Sequence, residues 1–130
     1  MFKEILLVFL GGGSGSIVRY LLSQVLNKAL ITAIPLGTLL SNVLASLILG
    51  ILVGFLDLNN SFHKSIWLLL AVGFCGGFST FSTFSNETLS LIRNGNYFQA
   101  LMNILLSIIL CILMTFLGFI LTKNSISTTS

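Results

Sequence analysis

One stretch limits this chain more than any other: Gly73-Phe74-Cys75-Gly76-Gly77-Phe78-Ser79-Thr80-Phe81-Ser82-Thr83-Phe84. It lies inside an apolar segment long enough to cross a membrane. Yet it holds two adjacent glycines and then four hydroxyl residues in seven positions. That is poor material for a continuous lipid-facing helix. Irregular backbone at membrane depth survives only where protein buries it or water reaches it. Helices broken near the midplane are a common way to hold ions. The segment therefore points to ion handling within a bilayer.

The remaining composition agrees. Of 130 residues, 55% are hydrophobic and 7% charged, whereas a soluble domain carries roughly 25% charged residues. The mean hydropathy is +1.08. A small bundle of this kind has little interior, so a functional site calls for a second subunit. The net charge of +3 is spread thinly, and without a basic cluster nucleic-acid binding has no electrostatic support. Cys75 and Cys111 sit in apolar segments without metal-ligand spacing and read as small buried hydrophobes. Met1-Phe2-Lys3-Glu4 before Ile5 superficially resembles a signal peptide. No A-x-A site follows and the apolar run is too long, so it reads as a retained first membrane helix.

A membrane span needs about 20 mostly apolar residues. Four fit, at 5–26, 35–56, 66–92 and 98–121, with a polar tail over 122–130. The expected fold is an all-α membrane protein, one four-helix domain whose third helix is broken near its middle. Asn94-Gly95-Asn96 is turn chemistry. Trp67 and Tyr97 open their spans, where aromatic belts lie. Neither strand alternation nor an internal repeat competes with this pattern.

Four spans put both termini on one side, with Lys3, Lys64 and Lys123. Lys28 and Arg93 lie on the other, with Arg19 near it inside the first span. Orientation follows Lys and Arg in short loops, and here the two sides nearly balance. Either one marginal charge decides, or copies insert both ways and pair antiparallel about an axis in the membrane plane.

The second span carries Thr38, Asn42, Ser46, Gly50 and Gly54 at intervals of four, and the fourth repeats this with Asn103, Ser107, Cys111 and Thr115. Small and hydroxyl residues at this spacing mark close helix packing, which is the reading for Gly50, Gly54, Cys111 and Thr115. Asn42 and Asn103 serve either as interhelical glue or as the lining of a wet path. Charges within spans are functional candidates by default. Arg19 and Glu87 approach the same side, either as a pair, at a pore mouth, or with Arg19 snorkelling to the interface. His63 reads as a solvated loop residue. Gly11-Gly12-Gly13-Ser14-Gly15-Ser16 lacks the strand and lysine of a nucleotide loop and reads as a close-packing face. Phe81 and Phe84, three apart, share a helix face after the break. They either pack simply or offer positive ring edges to an anion.

Together these residues resemble the Fluc-type (CrcB) fluoride channel family along essentially the whole chain. The motifs are 11–20 in the first span, Gly37-Thr38-Leu39-Leu40-Ser41-Asn42 in the second and Gly73 to Phe84 in the third. The resemblance implies an antiparallel dual-topology dimer in the inner (plasma) membrane, with two fluoride pathways and a central structural sodium ion. It implies Asn42, Phe81 and Phe84 on the pathway, with Thr38, Asn103 and Ser107 along it, and main-chain carbonyls of Gly76 and Ser79 around sodium. No nucleophile–base pair or metal cluster is present in the sequence, so no enzyme activity is expected. Ser79 stands where the family usually has threonine, Asn103 where tyrosine is common, and Ala45 where glycine is frequent. A heterodimer with a paralogue stays open.

The physics fits this expectation. Hydrogen fluoride crosses membranes as the neutral acid and ionises at cytoplasmic pH, trapping the anion. An inside-negative potential drives a monovalent anion outward by about 2.3 kcal/mol per 100 mV, so a passive path suffices for protection against fluoride. The alternative is a proton-coupled exporter of the small multidrug resistance type. That chemistry needs a carboxylate deep in the first span, where only Glu4 occurs, at its edge.

Overall fold

The computed structural model describes residues 1–29, 33–56 and 60–127, and all its regular structure there is helical. Helices α1 (Phe2–Ala29) and α2 (Leu36–Phe55) are continuous. The third segment is composite. A short α3 (Ser61–Ile66) runs into a widened π-helix (Trp67–Cys75), then one α-turn, α4 (Gly76–Phe78), a two-residue break, and α5 (Phe81–Arg93). Helix α6 is Tyr97–Ser127. Four stretches, Phe2–Leu26, Leu36–Phe55, Ser61–Arg93 and Tyr97–Lys123, are long and apolar enough to cross a membrane. The four-span, all-helical expectation holds.

Boundaries differ from the sequence reading where local chemistry outweighs hydropathy. The third segment begins at Ser61, not near 66, because Asn60 caps it: its Oδ1 accepts from the Phe62 and His63 N–H groups at 2.8 and 3.4 Å. Trp67 thus lies inside the helix rather than at its mouth. The polar tail continues α6 to Ser127, and residues 128–130 lie outside the described residues. The expected turn at 94–96 is present. Gly95 takes φ +76°, Gly95 N–H donates to Ile92 O, and Asn96 N–H donates to Leu91 O. That pattern is a Schellman cap, for which glycine has the needed freedom.

The burial is inverted relative to a soluble protein. Exposed large apolar side chains line α1 and α6, among them Phe9, Ile17, Leu105, Ile112 and Phe116. The two most enclosed side chains are polar, Asn103 and Ser41. Lipid supplies no hydrophobic drive between helices, so association rests on close backbone approach and interhelical hydrogen bonds.

Glycine provides that approach at two seams. Helix α1 packs along the π-helix and α4. A Cβ on Gly11 or Gly15 would collide with the carbonyl oxygens of Leu69 or Phe74, and one on Gly77 with that of Gly12. Helix α2 packs along α6, where a Cβ on Gly50 would strike the Thr115 carbonyl and one on Gly118 that of Leu47. The close-packing reading therefore holds at Gly11, Gly15 and Gly50, whereas a Cβ on Gly13 would meet open space. Lys64 Nζ lies 3.5 Å from Glu4 Oε1, joining the starts of two helices that run in the same direction.

Candidate functional site

The break organises the site. Ser79 (φ −82°, ψ 157°) and Thr80 (φ −156°, ψ 117°) are extended, whereas Gly76–Phe78 remain helical. The interruption is thus two residues long and falls after the adjacent glycines.

A break at membrane depth strands backbone groups, and each must find a partner. Thr80 N–H donates to Asn42 Oδ1 at 2.7 Å, and Asn42 Nδ2 donates to the Thr80 carbonyl at 3.3 Å. One carboxamide thus stands in for a strand neighbour. Thr80 Oγ1 in turn accepts the Thr83 N–H and caps α5. The Gly77 carbonyl accepts from Arg19 Nε at 3.1 Å and from Ser16 Oγ at 3.4 Å, both on α1.

The break leaves the Gly76, Phe78 and Ser79 carbonyls without their helical donors. Thr80 N–H would have served Gly76 O, and Thr83 N–H would have served Ser79 O; both are diverted to side chains. Gly76 and Ser79 also border a small cavity of ≈ 180 Å³ against α2. Carbonyl oxygens of this kind suit a hard monovalent or divalent cation.

Beside the break opens a cleft of ≈ 360 Å³. Asn42 and Ser46 of α2 form one wall, Ser79, Thr80, Phe81 and Phe84 a second, and Ser107, Ile108, Cys111 and Ile112 of α6 a third. No charged side chain lines it. The Phe81 and Phe84 rings stand 5.6 Å apart, tilted by 43°. Phe81 is 80% exposed and projects beyond the chain's own cover. Ser107, only 7% exposed, has a buried Oγ without a hydrogen-bond partner.

The structure therefore brings together Asn42, Ser79, Phe81, Phe84 and Ser107 in the cleft. Thr38 and Asn103 lie outside its lining, toward the end of the bundle with the 94–96 turn. Thr38 is buried and donates to Glu87 Oε1 at 2.8 Å. Asn103 donates from Nδ2 to Thr88 Oγ1 at 2.9 Å, and that hydroxyl donates to the Phe84 carbonyl. Arg19 and Glu87 do not pair; each is held by the contacts just given, and Glu87 Oε2 is buried without a partner.

Besides the apolar Ile108 and Ile112, three cleft residues escaped the sequence reading: Ser46, Thr80 and Cys111. Their signal was present. Ser46 and Cys111 belong to the four-residue polar stripes, and Thr80 to the hydroxyl run. Residue type alone divides the stripes between packing and lining, whereas helix rotation decides it.

Fold and site together define a multi-pass membrane protein with an uncharged polar and aromatic cleft beside a broken helix. A family model described as CrcB-like protein, Camphor Resistance (CrcB), matches residues 6–119. A Pyrococcus furiosus protein named fluoride-specific ion channel FluC is 48% identical over 122 residues, covering 94% of this chain and 98% of that protein. Proteins of the same name from Gloeothece citriformis and Coxiella burnetii are 42% and 43% identical, each over 93% of this chain and 98% of their own length. The chain belongs to the CrcB family.

Proposed function

We propose that this protein is a fluoride channel that lets the anion leave the cytoplasm passively and so protects against fluoride toxicity. The observation that carries this reading is the chemistry of the cleft wall. Asn42 uses one Nδ2 hydrogen on Thr80 and has a second to give. Ser107 has an unused hydroxyl, and Phe81 and Phe84 offer ring edges of positive potential. Such a wall can replace part of an anion's hydration without a fixed cation that would hold it too tightly to leave. The names of the relatives supply the identity of the anion.

The working unit in this reading is an antiparallel pair of identical chains in the inner (plasma) membrane. The nearly even Lys and Arg count supports it. So do the exposed Phe81 ring and Gly76, beside which a Cβ would meet open space; both await a neighbour. A sodium ion would bind the free carbonyls of Gly76 and Ser79 together with the same pair from the second copy. It would give these oxygens a partner and add positive potential near the anion path.

Purified protein in fluoride-loaded liposomes, followed with a fluoride electrode, tests the reading. Rapid release far above protein-free liposomes is expected without any imposed proton gradient. Absence of release would overturn it, and release that requires a proton gradient would favour the coupled exporter.

A further inference from the structure

The second of the chain's two cysteines lies where the sequence did not suggest. Cys111 is not enclosed; it is half-buried and forms part of the cleft wall with Asn42, Phe84 and Ser107. It also borders a neighbouring apolar groove with Val53, Thr115 and Phe119, so its side chain sits where the two openings meet. Four residues earlier on α6, one helical turn away, Ser107 holds its unpartnered buried hydroxyl in the same cleft. Cys75 is the internal contrast. It is 4% exposed, packed in the apolar core with Ala45 and Phe78, and absent from this cleft.

We propose that Cys111 is a thiol-modification site on the wall of the ion path, through which small thiol-directed reagents close the channel. This rests on the reading of the cleft as that path. A group attached to Sγ adds bulk to a space of ≈ 360 Å³ and lies within a turn of Ser107. It thus obstructs the cleft. Only a small, uncharged reagent suits so apolar a setting, and such a reagent reaches the site from either side of a bilayer. Methyl methanethiosulfonate meets both needs. The Cys111 thiolate attacks its sulfenyl sulfur and a new S–S bond forms. The bond to the sulfonyl sulfur breaks, methanesulfinate leaves with the electron pair, and the thiol proton passes to water. Cys111 then carries a methyl disulfide, which dithiothreitol removes by thiol–disulfide exchange.

The test uses the full chain in liposomes, as wild type, Cys111→Ser and Cys75→Ser. Intact-protein and peptide mass spectrometry read the modification, and the electrode reads fluoride release. Expected are a methylthio group on Cys111, loss of most flux in wild type and Cys75→Ser, recovery with dithiothreitol, and, in Cys111→Ser, the same flux before and after treatment whatever its basal level. Three results would overturn the proposal: Cys111 left unmodified, Cys111 modified with flux intact, or Cys111→Ser still inhibited. The mass readout is independent of transport. If untreated protein releases no fluoride, the channel reading fails, and labelling still reports whether the thiol opens to the cleft.

Discussion

The side-chain amide of Asn42 holds the backbone of Thr80 on both sides, accepting its N–H at 2.7 Å and donating to its carbonyl at 3.3 Å. The residue that lines the cleft is therefore also the residue that makes the break tolerable. Asn42→Ala leaves two backbone groups unpaired in a medium without bulk water. Each such group costs about 1–3 kcal/mol. The variant should melt at lower temperature in detergent and lose most fluoride flux. Asn42→Asp keeps the acceptor for Thr80 N–H, so it should recover more stability than flux, since a carboxylate repels the anion. A thermal melt of each variant beside its liposome flux checks this. Full stability in Asn42→Ala would show that the amide does not support the break.

Phe81 and Phe84 test the aromatic part of the wall. Isoleucine keeps apolar bulk but removes the ring edge. With Phe81 so exposed in the single chain, Phe81→Ile should leave subunit stability nearly unchanged. Each substitution should cut fluoride release sharply at equal amounts of folded protein. Normal release in both variants would place the anion path elsewhere.

Adjacent glycines should behave in opposite ways. A methyl group on Gly77 would collide with the Gly12 carbonyl, whereas one on Gly76 meets open space within the chain. Gly77→Ala should destabilise each subunit by about 1–3 kcal/mol, the usual range for overpacking. Gly76→Leu should spare the subunit fold but weaken pairing of copies and abolish flux. Size-exclusion chromatography with light scattering separates the two effects. A fully dimeric, active Gly76→Leu protein would mean that this face has no partner.

The number and order of spans were legible because lipid demands long apolar runs, and the turn at 94–96 because only a few residues make a Schellman cap. The break was legible from glycine and hydroxyl density, but its width was not. Gly76 and Gly77 suggested unwinding, yet what ends the helix is Asn42 and Thr80 diverting two N–H groups, which depends on α2 lying alongside. The π-helical winding of Trp67–Cys75 left no clear mark in residue type. The resemblance puts Thr38 and Asn103 along the path, but spacing fixes a stripe and not the neighbour it faces; in the fold they hydrogen-bond Glu87 and Thr88.

The free carbonyls of Gly76 and Ser79 give the last prediction. Their oxygens are main-chain atoms, and the Ser79 hydroxyl is already turned back onto Cys75 O at 2.7 Å. Ser79→Ala should therefore retain nearly full flux. Unpaired carbonyls in an apolar medium are costly, and a cation shared between two copies would offset that cost. Replacing sodium by a large organic cation on both sides of the liposome should lower fluoride flux and the melting temperature together, and added sodium should restore both. As a resident ion, sodium should show no fixed ratio to fluoride released. Undiminished flux and stability after thorough sodium removal would rule out a required site, and a constant sodium-to-fluoride stoichiometry would turn the channel into a symporter.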